Sequence, residues 1–156
     1  MIETKLFVDT DLNFNNSTDA LTHIGHLLSE MSYVKPTYLQ AIFEREENFP
    51  TGIDLGFGAV AIPHCDATHA NEPCIYVIKP SSPVPFGRAD DDGEVEAKII
   101  IALVVTDPQQ QMTLLRALFS NLQDEDFYTS LVNANDVSEI KTIFNNKILQ
   151  SNKEVA

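Results

Sequence analysis

The run Ile99-Ile100-Ile101-Ala102-Leu103-Val104-Val105 constrains the fold more than any other segment, because it puts apolar residues on both faces of a β-strand. Such a strand is typical of the centre of a sheet that is covered on both sides. Residues 59–62 and 75–78 are also short, rich in β-forming residues and bounded by Pro, Gly or Asp. We therefore expect an α/β fold, a three-layer α/β/α domain with a mixed sheet and helices on both faces.

Apolar residues at helical spacing predict the covering layers. Ser17 and Thr18 are candidate N-caps of a first helix. Pro36 suits the first turn of a second helix that ends around residues 45–48, and Pro50-Thr51-Gly52 then supplies a stop and a turn. The pattern also predicts a short opening strand at residues 5–8 and later helices at residues 112–122, 124–133 and 137–144.

Length and charge limit the class of protein. The 156 residues predict a single domain spanning residues 1–156. Ten Lys and Arg against 23 Asp and Glu give a formal net charge of −13. That charge repels phosphate backbones and anionic lipids, so nucleic acid and membrane surfaces are poor partners, whereas a basic protein partner stays open.

The same sequence indicates a cytoplasmic location. Residues 1–5 lack the basic and apolar regions of a signal peptide, and the longest apolar run, residues 99–105, is too short to cross a bilayer. Two cysteines without a secretion signal fit a reducing compartment, so we expect Cys65 and Cys74 to be thiols.

His64 is the first candidate for chemistry. It follows the strand at residues 59–62 and Pro63, which cannot donate to a sheet ladder, so His64 is carried to the edge of the sheet. Neutral histidine is nucleophilic near pH 7. A hydrogen-bonded histidine in a strand-end loop remains an equal alternative on these residues alone.

The neighbours of His64 favour an anionic group. Arg45 ends the predicted second helix before the Pro50-Thr51-Gly52 turn, and arginine holds phosphate through paired donors. Gly56 and Gly58 are small enough to let backbone N–H groups approach an anion. A neutral imidazole nitrogen there could attack a phosphoryl donor, while the other ring nitrogen needs an acceptor that the sequence does not identify.

Other candidates have simpler interpretations. His69 could be a second functional imidazole or a surface histidine in a loop. His64, Cys65, His69 and Cys74 include the ligand types that zinc prefers, but their spacing fits no common ligand pattern, and we expect no metal. The segment Asp90-Asp91-Asp92-Gly93-Glu94 lacks the alternating ligands of a calcium loop and predicts an acidic turn before the central strand.

The segments Arg45-Glu46-Glu47, Pro50-Thr51-Gly52 and Ala61-Ile62-Pro63-His64 together resemble the IIA domains of the fructose/mannitol class in the bacterial sugar phosphotransferase system. Residues 63–70, 89–92 and 108–116 are similar to the galactitol-specific branch of that class. The resemblance runs in order along nearly the whole chain. The combination of Pro-Thr-Gly with Ile-Pro-His is specific, whereas either half alone is weak.

The resemblance implies a cytosolic phosphocarrier without a cofactor. The family's phosphorylated histidine corresponds to His64, which would accept a phosphoryl group on the ε2 nitrogen from phospho-HPr and pass it to a cysteine of a IIB partner. IIC would be the membrane permease, and galactitol or a related polyol the sugar. Arg45 corresponds to the family's phosphate-supporting arginine, and Thr51 lies in the turn after it. A regulatory protein of the same family, whose phosphorylation controls binding to a target outside transport, remains an alternative.

Gln111 marks a departure from the mannitol and fructose types, which carry a second active-site histidine at the start of the helix after the central strand. Glutamine can donate to a phosphate oxygen or a carbonyl, but it cannot become a cation. We therefore expect Gln111 to support the phosphate with less positive charge than in those relatives. The run Gln109-Gln110-Gln111 resembles the galactitol branch itself, so the departure indicates subclass and not loss of function.

Overall fold

The computed structural model describes residues 4–149, which form a five-stranded mixed sheet, a two-stranded hairpin and helices on both faces of the sheet. The five-stranded order is β1-β4-β7-β3-β2, in which β1 with β4 and β7 with β3 are parallel and the other two pairs antiparallel. The strands are β1 (Lys5–Thr10), β2 (Gly52–Asp54), β3 (Ala59–Ala61), β4 (Cys74–Lys79), β5 (Val84–Gly87), β6 (Glu94–Ala97) and β7 (Ile99–Val104). The helices are α1 (Ser17–Glu30), α2 (Tyr38–Asn48), α3 (Pro108–Leu122), α4 (Glu125–Val132) and α5 (Val137–Phe144), with a 3₁₀ turn at Ala67–His69 and a π turn at Asn145–Leu149.

Strand β7 is the central strand that the sequence predicts, and every one of its residues is buried. Ile99, Ile101 and Leu103 pack with α3, α4 and α5, whereas the alternate residues pack with α1 and α2. Two apolar clusters therefore lie on opposite faces of one sheet, which confirms the three-layer α/β/α fold. The prediction of one domain over residues 1–156 extends beyond the described residues and stays a prediction.

The hairpin β5–β6 is the larger of two elements that the sequence interpretation missed, the other being the short strand β2. It lies on the α1/α2 side, where Val84, Phe86 and Val95 join the core. The acidic segment predicted before the central strand is the turn of this hairpin, since Gly87 pairs with Glu94. The acidic turn before the central strand is therefore confirmed, with the difference that Glu94 already belongs to β6, which lies between the turn and β7.

Two helix starts also differ from the prediction. Asn16, and not Ser17 or Thr18, caps α1, because its side chain accepts a hydrogen bond from the Asp19 N–H at 2.9 Å. Pro36 lies before α2 and not in its first turn. Residues 35–38 form a turn instead, in which the Tyr38 N–H donates to the Lys35 carbonyl at 3.0 Å.

The candidate residues lie at one edge of the sheet, where several strands and helices begin or end. Strands β3 and β7 are parallel and both end there, and β2 begins there because Gly52 pairs with Ala61. Helix α2 ends just before β2, and α3 begins just after β7. Among residues 4–149, no helix is both long and apolar enough to cross a membrane.

Candidate functional site

His64 leaves the sheet directly after the last sheet-like hydrogen bonds of its segment. The Ile62 N–H donates to the Thr51 carbonyl at 3.2 Å, and the Pro63 carbonyl accepts from the Leu103 N–H at 3.0 Å. Pro63 has no N–H to donate, but its carbonyl still bonds to β7 through Leu103 and fixes the position of the chain just before His64. His64 is half-buried at this edge, as the sequence predicts.

The His64 ring has a defined tautomer. Its Nδ1 lies 2.7 Å from the Ile62 carbonyl, which can only accept, so Nδ1–H is the donor and Nε2 is the unprotonated nitrogen that carries the lone pair. The acceptor that the sequence could not identify is therefore a backbone atom two residues earlier. Burial lowers the pKa of His64 below its usual value, and the charge of Arg45 lowers it further, although the bond to Ile62 acts in the opposite direction. A lowered pKa favours the neutral imidazole at pH 7, in which the lone pair lies on Nε2.

Arg45 lies beside that atom, as the sequence predicts. Its Nη2 is 3.4 Å from His64 Nε2, and its Nη1 donates to the Phe49 carbonyl. The guanidinium carbon also lies 5.4 Å from the centre of the Phe49 ring. A cation next to a nucleophilic nitrogen can neutralise an anionic group that arrives there, which is the main demand of phosphoryl transfer.

Thr51 adjoins the site, but both of its donors are already bound. Its N–H and its hydroxyl each lie 2.6 Å from an oxygen of the Glu46 carboxylate. Both residues are buried, at 7% exposure for Glu46 and 6% for Thr51. Burial raises the pKa of Glu46, and the two bonds from Thr51 oppose that rise. Thr51 therefore contributes its backbone carbonyl to the site, and the contact of Thr51 with a phosphate stays a prediction.

Glu46 is a functional candidate that sequence reasoning missed. It stands between Arg45 and Glu47 on an acidic helix end, so its sequence context is typical of a solvated surface carboxylate. The five-residue separation from Thr51 crosses the end of α2, and no simple helical spacing predicts such a contact.

Gln111 lies near His64 because its side chain contacts Cys65, the residue that follows His64. It lies in the first turn of α3, where its Nε2 donates to the Cys65 carbonyl at 3.3 Å and its backbone N–H donates to the Asp107 carbonyl. Asp107 caps the helix by accepting from the N–H groups of Gln109 and Gln110. The side chain of Gln111 thus supports the loop that carries His64, and its contact with a phosphate stays a prediction.

His69 has a different environment. Its Nδ1 shares a hydrogen bond of 2.8 Å with the Thr37 hydroxyl, and its carbonyl accepts from the Lys35 N–H. These contacts fasten the loop after His64 to the residues before α2. Among the hydrogen bonds of residues 4–149, none joins His69 to His64, so a second functional imidazole stays a prediction.

Gly56 and Gly58 lie at the opposite end of the β2–β3 hairpin from His64, so the structure does not bring them to the site. Gly56 adopts a positive φ of 92° in the turn and its N–H donates to Asp54. A Cβ on Gly58 would come within 2.4 Å of the Tyr128 ring. Both glycines serve packing and turn geometry, and the expected role of an anion cradle was wrong.

The cysteines are free thiols. Burial raises the pKa of both Cys65 and Cys74 to about 12, so both are protonated at neutral pH. Within residues 4–149, no group of three or more His, Cys, Asp or Glu side chains is arranged to hold a metal ion.

Comparisons with known proteins assign the family. The protein-family model described as phosphoenolpyruvate-dependent sugar phosphotransferase system, EIIA 2, matches residues 1–147. The galactitol-specific EIIA component of Escherichia coli K12 is 41% identical over 150 residues, which is 96% of this chain and 99% of that protein.

Solved structures share the fold. The crystal structure of the mannitol IIA from Escherichia coli aligns with a TM-score of 0.70 at 22% identity, covering 88% of this chain and 94% of that one. The same enzyme in complex with phosphorylated IIB aligns with a TM-score of 0.71 at 21% identity, covering 90% and 94%. The chain therefore belongs to the EIIA type 2 family, the phosphocarrier components of the phosphoenolpyruvate-dependent sugar phosphotransferase system.

Proposed function

We propose that this protein carries a phosphoryl group on His64 Nε2, taking it from phospho-HPr and passing it to a cysteine of a cognate IIB. The observation that carries the proposal is the pair of contacts on the His64 ring. The Ile62 carbonyl fixes the proton on Nδ1, and the Arg45 guanidinium lies 3.4 Å from Nε2. A neutral nucleophile beside a cation suits transfer of a phosphoryl group.

The transfer runs in two displacements. The lone pair of His64 Nε2 attacks the phosphorus of the donor phosphohistidine, and the donor N–P bond breaks with its electron pair returning to the donor ring. Nδ1–H keeps its bond to Ile62 throughout. In the second displacement a IIB thiolate attacks the same phosphorus, and the electron pair of the His64 N–P bond returns to Nε2. Arg45 stabilises the phosphoryl oxygens in both transition states.

Gln111 and Thr51 have supporting roles in this proposal. Gln111 Nε2 can turn from the Cys65 carbonyl to a phosphoryl oxygen, which supplies a donor without adding charge. Thr51 fixes the strand segment that carries His64 through its carbonyl bond to Ile62. Arg45 is then the cation of the site, with neutral groups around it.

Galactitol, or a closely related polyol, is the sugar that we propose for the system. The 41% identity to galactitol-specific EIIA over nearly the full length of both chains supports this choice. The partner class is supported by the mannitol IIA that was solved with phosphorylated IIB. A net charge of −13 favours fast encounter with a partner that presents a basic surface. IIC would be the membrane permease, and a cytoplasmic location follows from these partners.

The test is incubation with phosphoenolpyruvate, enzyme I and HPr, followed by intact mass. Wild type should gain one acid-labile phosphoryl group, His64→Ala should gain none, and the matched control His26→Ala, at an exposed histidine of α1, should behave as wild type. Acid-labile phosphorylation of His64→Ala would refute the assignment.

Addition of a IIB then tests the partner. A galactitol-type IIB should discharge the phosphorylated protein faster than a mannitol-type IIB does. Failure of every IIB to discharge it would favour the regulatory alternative over transport.

A further inference from the structure

Phe49 is a large aromatic residue in an unusual place, 67% exposed immediately after α2. Three large apolar side chains are exposed among residues 4–149, and Phe49 is the most exposed of them, ahead of Met112 and Phe119. Its packing contributes little to the core, so burial does not explain it.

The contacts of Phe49 converge on Arg45. The Phe49 N–H donates to the Arg45 carbonyl at 2.8 Å, which closes the end of α2. The Phe49 carbonyl accepts from Arg45 Nη1, and the Phe49 ring lies 5.4 Å from the guanidinium carbon. The other end of the same guanidinium reaches His64 Nε2.

These contacts orient the guanidinium without neutralising it. The ion pairs within 4 Å among residues 4–149 both involve Arg88, and neither involves Arg45. A carboxylate in the place of the Phe49 ring would compensate the charge that an incoming phosphoryl group needs. A carbonyl and an aromatic face hold a cation through partial charges only, so Phe49 itself adds no charge that compensates Arg45.

We propose that Phe49 is a positioning residue for the phosphoryl site, holding the Arg45 guanidinium against His64 Nε2 through its ring and its carbonyl. The role for phosphoryl transfer depends on the proposed function, whereas the effect on the Arg45–His64 contact does not. Cation–π contacts at exposed sites change an equilibrium by about two- to fivefold, and by about thirtyfold when water is excluded. A docked partner that covers the ring would therefore strengthen the hold on Arg45.

The first test measures the pKa of His64 by NMR titration in the unphosphorylated protein. Because the charge of Arg45 lowers this pKa, Arg45→Gln should raise it, and the size of that rise is the largest effect that a Phe49 variant can have through Arg45. Phe49→Leu, which keeps the carbonyl but removes the ring, should raise it by a smaller amount, and Phe49→Tyr should restore the wild-type value. In the Arg45→Gln background, Phe49→Leu should have no further effect. Phe119→Leu, at an exposed phenylalanine of α3, is the matched control and should leave it unchanged.

The second test measures single-turnover phosphorylation by phospho-HPr. Phe49→Leu should lower the maximal rate of phosphorylation by about two- to thirtyfold, depending on how completely the bound donor excludes water from the ring of residue 49. Phe49→Tyr, which keeps an aromatic ring, should have the wild-type rate. A Phe49→Leu protein with an unchanged His64 pKa, or one shifted equally in the Arg45→Gln background, would overturn the proposal. An unchanged pKa with weaker donor binding would identify Phe49 as a docking residue instead. The NMR titration of His64 does not require phosphoryl transfer. If wild type failed to accept phosphate, the proposed function would be refuted, but the titration would still test the effect of Phe49 on the Arg45–His64 contact.

Discussion

Glu46→Gln should destabilise the protein far more than its position on a helix surface suggests. The buried carboxylate of Glu46 accepts two hydrogen bonds of 2.6 Å from Thr51. Glutamine can keep both contacts only as neutral hydrogen bonds, because its oxygen accepts from the Thr51 N–H and its amide nitrogen donates to the Thr51 hydroxyl oxygen. Replacing two charge-assisted hydrogen bonds by neutral ones lowers the free energy of unfolding by about 1.5–3 kcal/mol, with relief of carboxylate desolvation favouring the lower end.

The assay is thermal unfolding of the two variants Glu46→Gln and Glu47→Gln at pH 7. In a domain of this size 1 kcal/mol lowers Tm by about 2–4 °C, so Glu46→Gln should lower it by about 3–12 °C. Glu47 is exposed and carries the same charge, and its replacement should change the free energy of unfolding by less than about 0.5 kcal/mol. Equal Tm values for the two variants would refute this account of Glu46.

A double-variant cycle then assigns the loss to Thr51. Thr51→Val removes the hydroxyl donor and keeps the N–H, so the effects of Thr51→Val and Glu46→Gln should be less than additive. The Thr51 carbonyl accepts from the Ile62 N–H, and the Ile62 carbonyl accepts from His64. Glu46→Gln should therefore also slow phosphorylation of His64, and a variant destabilised as expected but phosphorylated at the wild-type rate would break that link.

Three further outcomes follow from other contacts. Because the pKa of His64 is lowered in the folded protein, the unfolded chain binds a proton at His64 more tightly than the folded protein does. As the pH falls below about 6.5, the free energy of unfolding of wild type should therefore decrease relative to that of His64→Asn. Denaturant titration of both proteins at pH 7.5 and 5.5 measures this difference. Equal pH slopes for the two proteins would contradict this sign. Gly58→Ala places a methyl group against the Tyr128 ring and should lower the free energy of unfolding by about 1–3 kcal/mol in thermal melts; a loss below 0.5 kcal/mol would mean that the ring moves freely. Cys65 and Cys74, each with a pKa raised to about 12, should resist iodoacetamide at pH 8 in the native state and react in denaturant, whereas rapid native labelling would show an exposed thiolate.

Most of the fold could be predicted from periodicity because the two-sided burial of β7 demands helices on both faces. The hairpin β5–β6 escaped prediction for a physical reason. Val84 to Gly87 contains Pro85, which argues against a central strand, and β6 has only the four-residue alternation Glu94-Val95-Glu96-Ala97. Such short strands depend on tertiary packing against α1 and β3, which no local pattern records.

The candidate site divides in the same way. His64 and Arg45 could be predicted because a reactive imidazole and a guanidinium are chemically distinct side chains at a strand end and a helix end. The Ile62 and Phe49 carbonyls could not, since every residue has a carbonyl and only the fold shows which one accepts. Glu46 was hidden because a carboxylate in an acidic helix end is almost always solvated.

These contacts explain how a site with one cation can work. Helix α3 contains no histidine, and Gln111 at its start contributes an amide, so Arg45 is the cation that the described contacts place at His64 Nε2. The groups that hold Arg45 and His64 in place are the Phe49 carbonyl and ring, the Ile62 carbonyl and the Thr51 backbone, all of them uncharged. The carboxylate next to Arg45 in the sequence, Glu46, binds both donors of Thr51 and forms no ion pair within 4 Å with Arg45 in the described part of the chain, although the charge of Arg45 still acts to lower the pKa of Glu46. Binding of Thr51 by Glu46 therefore fixes the strand segment that orients His64, which links a buried carboxylate to the position of the imidazole without adding a direct contact to it.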